Sequence, residues 1–130
     1  MRALCHSDMK ARRKKLSFLR RLTRYNALIN IQASHGTKNE LLSLLRLESS
    51  QFRIFVSSGP DSGTGGIVTM VRKKLLVNAT VHFDVIVKGR VSKVVFWSAE
   101  HSATVFNVHN YGITPVGLSR TCAALKKSID

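Results

Sequence analysis

The chain has 130 residues, enough for one domain or part of one. Apolar residues make up 44%, which excludes a disordered composition, and no apolar run approaches the ~20 residues needed to cross a bilayer. Twenty-one Lys and Arg against 7 acidic residues give a net charge of +14, which points to polyanionic partners, nucleic acid foremost.

Nine of the 21 cations lie in the first 24 residues: Arg2, Lys10, Arg12, Arg13, Lys14, Lys15, Arg20, Arg21 and Arg24. This charge density predicts a basic, disordered arm over residues 1–15, and Arg12-Arg13-Lys14-Lys15 suits either a nucleic-acid backbone or a nuclear address. No secretory apolar segment is visible, and two cysteines are too few for a disulfide framework. The expected setting is therefore nuclear or cytoplasmic, not secreted.

The ordered part is read as a single domain over 16–130. Apolar residues at 16, 18, 19 and 22 predict a helix over 16–25. A short strand follows over 27–32, and His35-Gly36 breaks it. Thr37 and Glu40 have the T-x-x-E spacing of a capping box, with Leu41, Leu44, Leu45 and Leu42 as candidates for the buried stripe behind it. Strands are predicted at 52–56 and 67–71, joined by a Ser-, Gly- and Pro-rich loop. The alternation of Val81, Phe83, Val85 and Val87 predicts a half-buried strand. Residues 91–97 and 104–108 flank a hairpin loop at 98–102. Leu118, Cys122, Leu125 and Ile129 recur near helical spacing. This order points to an α+β fold or a layered sandwich with helices outside.

The stretch Thr104-Val105-Phe106-Asn107-Val108-His109-Asn110-Tyr111-Gly112 ends an apolar strand in polar groups. Asn107 and His109 are two apart, so on a strand they share a face. An imidazole there can donate to a phosphate oxygen and change charge near neutrality. The plain alternative is a strand end whose histidine meets a backbone carbonyl. His35, just before the capped helix, has the same two readings: an anion contact at a positive helix end, or a surface turn. Arg72-Lys73-Lys74 is either a solvated strand edge or a phosphate contact. Carboxylates are scarce. Between residues 26 and 129 there are only Glu40, Glu48, Asp61, Asp84 and Glu100, and none is placed beside another at a strand end. Divalent-metal hydrolysis of a phosphodiester needs such oxygen ligands.

Leu28-Ile29-Asn30-Ile31-Gln32-Ala33-Ser34-His35-Gly36-Thr37, the strand after Gly65-Gly66, Gly89-Arg90-Val91 and Asn107-Val108-His109-Asn110 together resemble the endonuclease/exonuclease/phosphatase superfamily, its non-LTR retroelement branch in particular. The resemblance covers about residues 16–129. It implies a partial αββα sandwich, helices flanking a mostly antiparallel sheet, amounting to about half of the family domain. It implies vestigial catalytic positions at His109 and Asn107, with Asn110 as a lesser phosphate-side candidate. Mg²⁺ is the metal of the intact family, but the position of its metal-binding Glu is Ala33, so no bound metal is expected here. The family's first Asn-bearing strand has no counterpart in residues 1–25, and its later Gly-Asp-x-Asn and Ser-Asp-His motifs are absent.

The implied function is that of an inactive fragment resembling a metal-dependent phosphodiesterase, with DNA as the expected partner. A basic nucleic-acid-binding module without catalysis and a small ribosomal-type structural protein are the alternatives. A half-domain also predicts one sheet with an exposed apolar inner face, covered by a second copy or another partner.

Overall fold

A computed structural model describes Leu4 and residues 8–60, 65–109 and 113–129. Helix α1 spans Met9–Tyr25, and the Asp8 carboxylate caps it by accepting from the Lys10 N–H at 3.0 Å. Lys10, Arg12, Arg13, Lys14 and Lys15 are therefore helical, and the expected arm over 1–15 gives way to helix from Met9 onward. The reason is local: Lys, Arg and Ala are strong helix formers, and Asp8 satisfies an otherwise free N–H. Charge density alone hid that signal.

Strand β1 (Leu28–Gln32) leads to helix α2 (Lys38–Leu44). Its capping box forms: Thr37 Oγ1 accepts from the Glu40 N–H at 3.1 Å, and the Glu40 carboxylate accepts from the Thr37 N–H at 3.3 Å. Leu41 and Leu45 are fully buried, Leu44 is half-buried, and Leu42 faces solvent. Then come β2 (Phe52–Ser57), β3 (Ile67–Arg72), β4 (Thr80–Val87), β5 (Val91–Trp97), β6 (Ser102–Val108) and α3 (Pro115–Ile129).

The six strands form two antiparallel sheets, ordered β1-β3-β2 and β4-β5-β6. In the first sheet the period of two sorts side chains onto two covered faces. Ile29, Ile31, Phe52, Val56, Val68 and Met70 pack against Leu19 of α1 and Leu41 and Leu45 beside α2. On the other face, Phe55 and Val71 meet Val94, with Val81, Phe83 and Phe96 around them. The rings of Phe55 and Phe83 stack at 5.1 Å between centroids. On the opposite side of the second sheet, the Lys93 ammonium reaches the Ser128 carbonyl of α3 at 3.5 Å. The layers run helices, sheet, sheet, helix: an α+β fold with the order of a partial αββα sandwich.

The expected bare apolar face is absent from the first sheet. Because the strands divide three and three, the two inner faces cover each other. What remains open is the margin of the second sheet, where Val85 and Trp97 are about two-fifths exposed (42% and 43%).

Candidate functional site

The ends of β1, β3 and β6 and the β4–β5 turn converge at one end of the sandwich. Ser34 N–H donates to Gly66 O at 3.0 Å and His35 N–H to Gly65 O at 3.1 Å. Gly66 N–H in turn donates to Gly89 O at 3.1 Å, and His109 N–H to Arg90 O at 2.7 Å. Gly89 N–H reaches the buried Ser57 hydroxyl at 2.8 Å. This lacing demands unusual backbone. Ala33 and His35 adopt φ of 48° and 57°, in the left-handed region that side chains resist. Gly66, at φ 88°, lies so close to Ser34 that an added Cβ would sit 2.5 Å from its hydroxyl oxygen. The Ser34 hydroxyl is fully buried and has no hydrogen-bond partner among the described residues.

Asn107 is the hub of this end, and its side chain faces inward. It is 1% exposed. Its amide donates to Val68 O at 3.1 Å, to Ile31 O at 3.3 Å and to Thr69 Oγ1 at 3.5 Å, while Thr69 donates to Asn30 Oδ1 at 2.8 Å. The amide thus ties β6 to β1 and β3 across the two sheets. Its oxygen, Oδ1, is buried without a partner among the described residues. His109 is 4% exposed. Sequence reasoning placed these two side chains on one strand face and left it two uses, a ligand contact or a satisfied strand end; Asn107 turns that face toward β1 and β3 of the first sheet. Asn110 lies outside the described residues.

Asn30 and Gln32 were missed. The His109–Arg90 bond makes 90/109 a hydrogen-bonded pair, so alternation turns the Phe106 and Val108 carbonyls off the free edge of β6. Asn30 Nδ2 donates to Phe106 O at 3.4 Å, and Gln32 Nε2 donates to Val108 O. The signal was present: Leu28-Ile29-Asn30-Ile31-Gln32 puts two amides on the parity opposite Ile29 and Ile31. Side-chain amides there cap an edge that would otherwise leave carbonyls unpaired.

His35 is half-buried beside α2. The start of that helix is already served by the Thr37–Glu40 box, so the Glu40 carboxylate occupies the place where an anion was expected. Among the described residues, no three His, Cys, Asp or Glu side chains converge on a point. Magnesium binds through oxygens, typically from one or two carboxylates. At this strand end Ala33 supplies a methyl group and the Asn107 amide is spent on backbone carbonyls, so these residues do not fit that metal.

The cations divide into structural and solvent-facing groups. Arg72 is structural: it donates to Gln51 Oε1 at 3.2 Å, to Asn26 O at 3.3 Å and to Thr23 O, and lies 4.6 Å over the Phe52 ring. It clamps the end of α1 to β2 and β3 and is not available to a phosphate. Lys73 and Lys74 are exposed on a short 3-10 turn after β3. Arg13 and Lys14 are exposed on α1, whereas Arg12 and Lys15 are half-buried. Arg12, Arg20 and Arg46 line a groove of about 580 Å³ between α1 and α2, with Glu40 opposite. Arg20 also pairs with the buried Glu48 at 3.2 Å. No helix among the described residues is long and apolar enough to cross a membrane.

No model of a known protein family matches this chain, and no curated protein is significantly similar to it.

Proposed function

We propose that this chain binds nucleic acid, DNA foremost, and does not cleave it: a catalytically silent relative of the endonuclease/exonuclease/phosphatase superfamily. The observation that carries the reading is Ala33. It sits at the convergence of strand ends where the resemblance expects a metal-binding carboxylate, and it is buried with a methyl group there. The four-layer order and the strand ends gathered at one edge support the kinship. The net charge of +14 supports retained affinity, because each phosphate contact by a cation releases a condensed counterion.

His109 and Asn107 have a structural part in this reading. The Asn107 amide is used up in holding two sheets together, and His109 is closed off from solvent. Neither is placed to polarise a phosphodiester.

The test is nicking of supercoiled plasmid in Mg²⁺ and in EDTA, with His109→Ala as the control for contaminating nuclease. Salt-sensitive retention of plasmid without nicking is expected. Mg²⁺-dependent nicking that His109→Ala abolishes would overturn the reading.

A further inference from the structure

Helix α1 carries seven solvent-exposed positions in one stripe: Lys10, Arg13, Lys14, Ser17, Arg20, Arg21 and Arg24. At about 100° per residue they fall within about 120° of the helix circumference. Six of the seven are cations. The opposite side holds Leu16, Leu19 and Leu22, packed on the first sheet. The stripe is about 21 Å long at 1.5 Å per residue.

A merely solvated helix face would interleave acids with these bases. Helix α1 contains no Asp or Glu. Its stripe sets Lys10 against Arg13 and Lys14, and Arg24 against Arg20 and Arg21, at the three- and four-residue spacings where like charges repel. Of the six, only Arg20 meets a carboxylate among the described residues. The sequence thus keeps a locally unfavourable arrangement that a polyanion would relieve.

We infer that this stripe is a docking surface for the sugar-phosphate backbone of double-stranded nucleic acid. The inference rests on the nucleic-acid reading above and assigns its contact surface and strand class. Duplex is indicated over single strand because single-strand binders stack bases on open aromatic rings. Two aromatics flank the stripe: Phe18, with the Arg21 guanidinium 5.7 Å over its ring, and the exposed Tyr25 at the end of the helix, so no row of open rings runs along it to stack successive bases. The stripe offers cations for phosphate oxygens along its whole length, the contacts that fix a protein on a duplex. A lipid surface is disfavoured because the leucine side of α1, which would enter a headgroup layer, is already packed.

The test compares the full chain with the variant Arg13→Gln/Lys14→Gln/Arg21→Gln/Arg24→Gln. Gln preserves helix propensity and removes every like-charge pair named above, so the melting temperature should hold or rise. Binding is read by anisotropy of a labelled 20-base-pair duplex over a salt series, with a single strand of equal length and anionic vesicles alongside. The parent should bind duplex more tightly than single strand. The variant should lose about 3 to 4 from the slope of log K against log salt, with Kd rising roughly a hundredfold to a thousandfold at 0.15 M salt. A Lys73→Gln/Lys74→Gln variant should remain within a few fold of the parent.

Duplex affinity that survives the α1 substitutions, or falls only with Lys73 and Lys74, would overturn the inference while leaving nucleic-acid binding intact. Equal or tighter single-strand binding would overturn the duplex assignment. Failure of the parent to bind any nucleic acid at low salt would sink both proposals, and α1-dependent binding to vesicles alone would put a membrane surface in their place.

Discussion

Replacing Asn107 by Ala separates a structural hub from a ligand-binding amide. The substitution removes two hydrogen bonds to backbone carbonyls, at 3.1 and 3.3 Å, from a side chain that is 1% exposed. At about 1 kcal/mol net for each bond, with a further contribution from the small void, the expected cost is about 2–3 kcal/mol. For a domain of this size that lowers Tm by about 6–12 °C. Thermal unfolding followed by far-UV circular dichroism measures it, and duplex affinity below the transition should be unchanged.

Asn107→Asp should cost more at pH 7 than Asn107→Ala, because an ionised carboxylate would face two carbonyl oxygens with no proton to share. Burial raises the folded pKa of the introduced carboxyl above its unfolded value of about 3.9. The penalty is therefore small below about pH 4 and grows as pH rises through the folded pKa. If Asn107→Ala left Tm within a degree of the parent while abolishing duplex binding, the hub reading would be wrong.

Gly66→Ala should destabilise by about 2 kcal/mol or more, since it combines a left-handed backbone with a Cβ 2.5 Å from the Ser34 hydroxyl; adding Ser34→Gly should recover part of the loss in a double-mutant cycle. Arg20→Ala should lower Tm more than Glu48→Gln, because the first leaves a buried carboxylate without its cation and the second removes the charge. Asp8→Ala should cost about 1 kcal/mol and fray the start of α1, read as faster amide hydrogen exchange over residues 9–12.

The features legible in the sequence were local ones. The Thr37–Glu40 box is a three-residue signal, and the structure forms it. The alternation of Val81, Phe83 and Val85 marks a strand because one face of that strand is wet. The hairpin of β5 and β6 announced itself through two apolar runs around a polar turn. The illegible features depend on what lies across from a residue. Asn30, Gln32 and Thr69 occupy the polar parity of their strands, which ordinarily means solvent. Here it means a second sheet, whose edge carbonyls need donors. Arg72 reads as a strand-end cation, yet its acceptors at Thr23 and Asn26 lie 49 and 46 positions away in sequence. The start of α1 was missed for a different reason: a run of Lys and Arg suits a disordered arm and a helix equally, and only the Asp8 cap decides.

At the candidate site, the resemblance named strand ends that the fold brings together, while spacing alone left Asn107 and His109 with two readings, a ligand contact or a satisfied strand end. Asn107 and His109 were picked out because polar groups at an apolar strand end need an explanation. The explanation for Asn107 is inter-sheet hydrogen bonding, which no single-strand pattern reveals. Of the cations read from the sequence as contacts, Arg13, Lys14, Lys73 and Lys74 face solvent while Arg12, Lys15 and Arg72 are half-buried, and the stripe on one side of α1 emerges only once the helix is known to begin at Met9.

The most direct test of the account follows the anisotropy of an end-labelled DNA duplex over several hours with the purified chain in Mg²⁺. Binding without cleavage predicts a prompt rise that holds steady, falls when salt is added, and is the same in EDTA. A duplex that never gains anisotropy at low salt would contradict the binding claim. A rise that then decays in Mg²⁺ but not in EDTA, as labelled fragments are released, would contradict the claim that the chain is catalytically silent.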